Sequence, residues 1–301
     1  VHPSHAFTSV ETSPEYADRP RLNVLKKAGV SRVSIGIQSF QDEELKAIKR
    51  RPRQNTIYQA LDDIRQMDFP YFNIDLIYGI KGQTVESFLY SLEEALRFQP
   101  NELFIYPLYV RQGTGITERE PDDVCFRMYR AACKLLQAKG FLQTSMRRFI
   151  HHPSTDAEVS CGDEVMLSCG SGGRSYLGDL HYATRYTVCQ QCIAREIDEY
   201  MATTDFTVAR NGFILSAKEQ QQRFIIKNLM YYMGIDKAEY TRRFGEPLDR
   251  TPLFRQLAEQ YWIEETPERI RLTPEGLGYS DYIGQLFITP EIRQLMETYS
   301  Y

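Results

Sequence analysis

Two apolar runs of strand length dominate the first third of the chain: Arg32 to Phe40, RVSIGIQSF, and Tyr71 to Gly79, YFNIDLIYG. Both are rich in β-branched residues, and each carries one polar side chain, Gln38 or Asp75, where a purely structural strand would prefer an aliphatic one. Helical patterns alternate with such runs. The extended run 6–10 ends in Glu11 and precedes a helix near 16–28, and RVSIGIQSF precedes a short helix at 42–49. In the next helix, 56–67, Ile57, Ala60, Leu61 and Ile64 fall at helical spacing. YFNIDLIYG leads to a helix near 85–98, and LFIYPLYV at 103–110 reads as a fourth strand. This alternation predicts a parallel sheet with helices on its outside.

Four such units are half of an eight-stranded barrel or two thirds of a six-stranded one. A bare leading edge is a liability that native sheets cover, so the remaining strands are expected upstream. In parallel α/β barrels the working residues sit at the C-terminal ends of the strands. Here those ends hold Glu11, Gln38, Asp75 and Tyr109: two carboxylates, an amide and a phenol. Each alone has an ordinary reading as a helix cap, a solvated loop residue or a partner of a backbone amide. Their recurrence at equivalent positions argues for a site. Lys49, Arg50, Arg51 and Arg53 form a basic run from which an arginine could reach an anion at the mouth.

Beyond a turn-rich exit at 111–116, the stretch 122–140 reads as a helix with Val124, Met128, Ala131 and Leu135 on one side. Cys125 and Cys133, on or beside it, are expected to be core packing. Residues 141–200 show the least regular pattern. At their centre lies CGSGGRSYLG, 169–178. No Gly-Lys-Ser/Thr follows it, and Ser175 stands where a dinucleotide fingerprint needs its third glycine. Close approach of the backbone to a ligand or another strand is the remaining use for these glycines. From 216 the pattern becomes helical, with helices near 217–233, 237–244 and 251–260, a hairpin over 262–265 and 269–273, and a final helix at 274–287. Three helices and a hairpin point to a winged-helix-like module. That segment is not conspicuously basic, so packing or interaction is expected of it rather than nucleic-acid binding.

Composition narrows the class. With 301 residues, 42% hydrophobic and 25% charged, the chain can form one large domain and a smaller one. A net charge of -4 gives no general attraction to nucleic acid or anionic membrane. No run reaches the roughly 20 apolar residues of a membrane span and no basic leader precedes an apolar segment, so a cytoplasmic protein is expected. The six cysteines are expected to be free thiols. Cys189 and Cys192, with Cys161 and Cys169, could also be written as a zinc or iron–sulfur site, although Cys161 and Cys169 do not form a second tight pair. The chain opens Val1-His2-Pro3 and reads as a piece of something longer.

The motifs SVETSP (9–14), RVSIGIQSFQDEEL (32–45), NIDLIYGIKGQTVESF (73–88), YPLYVRQGTGI (106–116), LSCGSGGRSYLGDLHY (167–182) and LTPEGLGYSDYIGQLF (272–287) resemble, in that order, the oxygen-independent coproporphyrinogen III oxidase family. Haem chaperones and anaerobic haem-degrading methyltransferases are relatives, and all are radical S-adenosylmethionine proteins. The resemblance implies that 1–118 is the second half of a TIM-type radical SAM barrel. It implies an α/β connection at 119–215 and a winged-helix-like domain at 216–301. It also implies that Glu11, Gln38, Arg50 and Asp75 contact S-adenosylmethionine, with Tyr109 lining the same pocket. A zwitterionic sulfonium with a ribose calls for such groups facing inward.

The family holds a [4Fe-4S] cluster on a C-x-x-x-C-x-x-C loop, and that spacing does not occur in this chain. Without three thiolates no deoxyadenosyl radical can form, so the chain as given is expected to be inactive by that route, the activity belonging to a full-length parent served by an electron donor. The implied chemistry is hydrogen abstraction from a tetrapyrrole side chain followed by decarboxylation. Two other readings stay open: a haem-binding chaperone of the same family, and a cluster-free barrel enzyme using Glu11 and Asp75 as acid and base.

Overall fold

Along RVSIGIQ the residues Val33, Ile35 and Ile37 alternate with Ser34, Gly36 and Gln38, so one face of the strand is aliphatic and the other polar. The same alternation governs its neighbours and decides which side the helices cover. The computed structural model describes residues 7–298 apart from 52, 112, 152–164, 186, 188, 210, 249 and 250. Two compact units result, Val1–Val110 with Ile116–Ala157, and Arg111–Gly115 with Glu158–Tyr301.

In the first unit the order is β1 (Ser9–Thr12), α1 (Arg19–Lys27), β2 (Arg32–Gln38), α2 (Asp42–Ala47), α3 (Gln54–Met67), β3 (Tyr71–Tyr78), α4 (Val85–Leu96), β4 (Glu102–Pro107), α5 (Asp122–Ala138), β5 (Leu142–Gln143) and β6 (Arg148–Ile150). One sheet runs β1-β2-β3-β4-β6-β5; its first four strands are parallel, and β6 and β5 add antiparallel. Val33, Ile35, Ile74, Leu76, Leu103 and Ile105 on one face share a core with Ile57, Leu61, Phe88, Leu92 and Met128 of the helices. At about 1.5–3 kcal/mol per buried aliphatic side chain, this interface is the main source of the unit's stability.

Local chemistry sets the boundaries. α1 starts at Arg19 rather than near Tyr16, because Asp18 caps it by accepting the Arg21 N–H at 2.9 Å and Pro20 lies in the first turn. Thr84 and Ser87 form a capping box at the start of α4. β4 ends at Pro107, which has no N–H for the ladder, so Tyr109 lies beyond the strand rather than on it.

The second unit holds β7 (Val165–Met166), β8 (Arg174–Leu177), β9 (Leu180–Ala183), α6 (Gln190–Ala202), β10 (Gly212–Ile214), α7 (Ala217–Leu229), β11 (Ile235–Asp236), α8 (Lys237–Phe244), α9 (Pro252–Glu259), β12 (Ile263–Glu265), β13 (Arg269–Leu272), α10 (Pro274–Gly278), α11 (Ser280–Leu286) and α12 (Pro290–Thr298). Two antiparallel sheets form, β10-β9-β8-β7 and β11-β13-β12. Leu229, Ile235, Tyr240, Leu257, Ile270 and Ile283 belong to the core of the helical part.

The described residues of 141–200 are more regular than their pattern implied. Strands of two to four residues are too short to show a period, and α6 buries no side chain that would mark a face. The single helix expected over 274–287 is divided between α10 and α11. The glycines of 169–178 serve a turn closed on itself: the Gly173 N–H donates to the Gly170 carbonyl, and a Cβ on Gly173 would lie 2.8 Å from the Ser168 Cβ.

The cysteines need one correction. Cys189 and Cys192 are disulfide-bonded, not free, because the first turn of α6 brings residues three apart together. Cys125, Cys133 and Cys169 are free thiols, with Cys125 buried in the core and Cys133 packed against it. Cys161 lies outside the described residues.

Candidate functional site

The polar face of the first sheet carries the candidate chemistry. Parallel register puts Glu11 opposite Ser34, Ser34 opposite Asn73, Gly36 opposite Asp75, and Asn73 opposite Glu102. Asn73 is wholly buried, and its Nδ2 donates to the Ser34 Oγ at 2.7 Å and to the Asp75 Oδ1 at 2.6 Å. Its Oδ1 is buried with no partner. A buried acceptor left unpaired costs about 1–3 kcal/mol, so this atom marks a place for a donor from a ligand.

Asp75 is half-buried, and burial pushes its carboxyl up to about 6. The bond from Asn73 opposes that shift, the Glu11 carboxylate adds to it, and the Arg32 guanidinium opposes it. Tyr106, on the same face of β4, is pushed well above the ordinary phenol value by burial and by the Asp75 carboxylate. Beneath these groups Glu102 is clamped between two arginines, with Arg32 Nε 2.6 Å from its Oε2 and Arg148 Nε on its Oε1. This triad, with Glu102 buried and both arginines half-buried, puts charge on the face that Asp75 shares.

Gln38 sits at a register shift in which Gly36 faces Asp75 and Gln38 faces Leu76. Its backbone is left-handed, with φ 72°, a conformation that a non-glycine residue holds only when its surroundings enforce it. A Cβ on Gly36 would meet the Gln38 Nε2 at 2.5 Å, so the amide folds back over Gly36 and hence beside Asp75. The loop that carries it is fixed from below. Buried Glu44 of α2 accepts from the Ser39 Oγ at 2.6 Å, the Gln83 Nε2 at 2.9 Å and the Ser87 Oγ at 2.5 Å. It thereby ties the end of β2 to the loop after β3.

Glu11, Gln38 and Asp75 therefore share one polar face. Tyr109 is placed at one remove: its hydroxyl accepts from the Arg147 guanidinium at 2.6 Å, and Arg147 acts in turn on Tyr106. Arg50 lines a depression of about 1170 Å³ together with Lys46, Lys49, Arg51 and Arg53. Ser34, Asn73, Tyr106 and the glutamate–arginine triad escaped attention in the sequence. Their signal is alternation: Asn73 and Asp75, or Glu102 and Tyr106, lie an even number of residues apart and so share a face.

Two family models match the chain, that of the Radical SAM superfamily over residues 2–95 and that of the HemN C-terminal domain over residues 215–278. Over these two segments the chain is similar to the coproporphyrinogen III oxidase-like radical SAM family. It is 26% identical over 295 residues to the heme chaperone HemW of Bacillus subtilis, an alignment covering 92% of this chain and 76% of that protein. With the oxygen-independent coproporphyrinogen III oxidase of Thermostichus vulcanus it shares 25% identity over 294 residues, covering 90% of each. The structure of coproporphyrinogen III oxidase (HemN) from Escherichia coli matches the fold with a TM-score of 0.74 at 21% identity, over 94% of this chain and 70% of that one.

The polar face fits one of this family's cofactors and the cysteines do not fit the other. Two carboxylates, the Gln38 amide and the unpaired Asn73 Oδ1 suit a ligand with ammonium and hydroxyl donors, and S-adenosylmethionine carries both. A [4Fe-4S] cluster needs three converging thiolates. Among the described residues no three of His, Cys, Asp or Glu come together as a metal site, and Cys125 and Cys133 are taken up by the core. No radical step is therefore assigned to the residues of this chain.

Proposed function

We propose that this chain binds S-adenosylmethionine on the polar face of β1 to β4 and serves porphyrin or haem metabolism with a tetrapyrrole as its second ligand. The observation that carries the reading is the buried, unpaired Asn73 Oδ1 beside Asp75, on the face that also bears Glu11 and Gln38. Glu11 and Asp75 would receive the ammonium and ribose hydroxyl protons. Gln38 would orient the adenosyl part, and Arg50 would meet the carboxylate if its flexible side chain turns out of the basic depression. Tyr109 would border the pocket through Arg147. S-Adenosylmethionine supplies the reactive sulfonium when bound; the residues here bind it, orient it and keep water from it.

The tetrapyrrole comes from the relatives, one of which is named a coproporphyrinogen oxidase and another a heme chaperone. In this reading the first sheet is part of a radical SAM barrel ending near residue 118, an α/β connection runs over 119–215, and 216–301 form a winged-helix-like module. Equilibrium dialysis of the full chain against labelled S-adenosylmethionine tests the assignment. Saturable binding should be weakened at least tenfold by Asp75→Ala. Unchanged affinity in that variant would remove Asp75 from the site. Stoichiometric haem binding that does not depend on S-adenosylmethionine would favour the chaperone role.

A further inference from the structure

The second unit contains a chemical group that the proposed cofactor site does not use. α6 opens on Cys189-Gln190-Gln191-Cys192, with Cys189 at the capping position and Cys192 in the first turn. The Cys192 N–H donates to the Cys189 sulfur at 3.1 Å, and the two sulfurs are bonded to each other. No acidic residue occupies the first turn. α6 buries none of its side chains, and both cysteines are half-buried rather than enclosed.

A structural staple is a poor account of this bond. A disulfide stabilises chiefly by closing a loop in the unfolded chain, and a loop between residues three apart gives the least return. The core of the helical part is built without it, from residues of α7 to α11 and their sheet. The features that do surround the pair favour its reduced form. A thiolate on Cys189 would keep the Cys192 N–H as donor and would lie at the positive end of a 13-residue helix. In a C-x-x-C sequence at a helix start those two effects lower the thiol pKa and make the disulfide exchangeable.

We propose that Cys189 and Cys192 form a redox-active dithiol–disulfide centre that exchanges two electrons with an external dithiol. In the reducing direction a thiolate of the dithiol attacks the Cys189 sulfur. The bond between Cys189 and Cys192 breaks, and Cys192 leaves with the electron pair and takes up a proton. The second thiol of the dithiol loses its proton and attacks the mixed disulfide at the dithiol's own sulfur. Cys189 leaves as a thiolate held by the Cys192 N–H, and the dithiol departs as a disulfide. One disulfide is reduced and one is formed: two electrons pass to the pair, one of the dithiol's two protons ends on Cys192, and the other is released to solvent. A zinc or iron–sulfur role for the pair lacks a third ligand among the described residues, since Cys169 is exposed and does not join it.

The test uses the full chain, dithiothreitol as the dithiol, and site-resolved alkylation read by mass spectrometry. Millimolar dithiothreitol should reduce the pair within minutes while the circular dichroism of the chain is unchanged, and oxidised dithiothreitol in excess should restore it. In the reduced chain iodoacetamide at pH 6 should modify Cys189 about tenfold faster than Cys169, which serves as an exposed reference in the same molecule. Cys192→Ser should keep that rapid reaction, because the donor at 192 is a backbone N–H. Cys192 in Cys189→Ser should react no faster than Cys169. A pair that yields only when the chain unfolds, a Cys189 no faster than Cys169, or stoichiometric metal on the anaerobically purified chain would each overturn the proposal. None of these readings involves Glu11, Gln38 or Asp75, so the outcome is independent of the cofactor assignment.

Discussion

Replacing Asp75 by asparagine should stabilise the first unit above neutrality. A carboxyl pushed from 3.8 up to about 6 binds its proton more tightly in the folded chain than in the unfolded one. Between about pH 4 and pH 6 the folded state therefore carries the extra proton, and stability falls as pH rises through that window. The difference is about two pH units, or about 3 kcal/mol once Asp75 is ionised. The amide that replaces the carboxylate would keep an acceptor for the Asn73 Nδ2 and lose the charge. The variant should therefore match the wild type near pH 4 and exceed it by up to about 3 kcal/mol at pH 7.5.

The measurement must follow the first unit alone, and the single tryptophan, Trp262, reports on the second. Pulse proteolysis in urea, with fragments of the first unit quantified, isolates the relevant transition. A wild type and variant whose difference stays constant from pH 4 to pH 7.5 would show that burial does not perturb Asp75. A gain confined to higher pH would mean that the residue is kept at a cost to stability, as binding groups commonly are.

The remaining predictions concern the supports of the site. Gly36→Ala should displace the Gln38 amide while costing less than about 1 kcal/mol of stability, because the added Cβ meets the end of a flexible side chain; calorimetry together with S-adenosylmethionine titration would separate the two effects. Glu102→Ala takes away the buried carboxylate that the half-buried Arg32 and Arg148 share and should cost up to about 3 kcal/mol in urea unfolding; a loss below about 1 kcal/mol would show that solvent already screens the triad. Glu44→Ala removes the acceptor of Ser39, Gln83 and Ser87 and should cost at least about 2 kcal/mol, with a weaker S-adenosylmethionine affinity because the Gln38 loop is released.

The strong periods in the chain were legible and the weak ones were not. β2 and β3 could be read from their branched apolar residues, and α3 and α5 from their helical spacing, because each buries one clear face. The alternation that exposed Gln38 and Asp75 also contained Ser34 and Asn73, whose small polar side chains pass for neutral positions until the neighbouring strand is in register. No local pattern announces that Glu102 meets Arg32 and Arg148, since those contacts span 70 and 46 residues. Arg50 is expected at the mouth from the basic run and the resemblance alike, and the basic character of the depression it lines, shared with Lys46, Lys49, Arg51 and Arg53, is the part of that expectation written in the local sequence.

The most direct test of the account is the pH dependence of S-adenosylmethionine affinity. If the ionised Asp75 carboxylate receives the ligand, the dissociation constant should be flat above about pH 7 and should weaken about tenfold per unit as pH falls below about 6. Asp75→Asn should bind weakly throughout and lose that slope. No saturable binding at pH 8, or the same slope in both chains, would contradict the assignment of this face as the cofactor site.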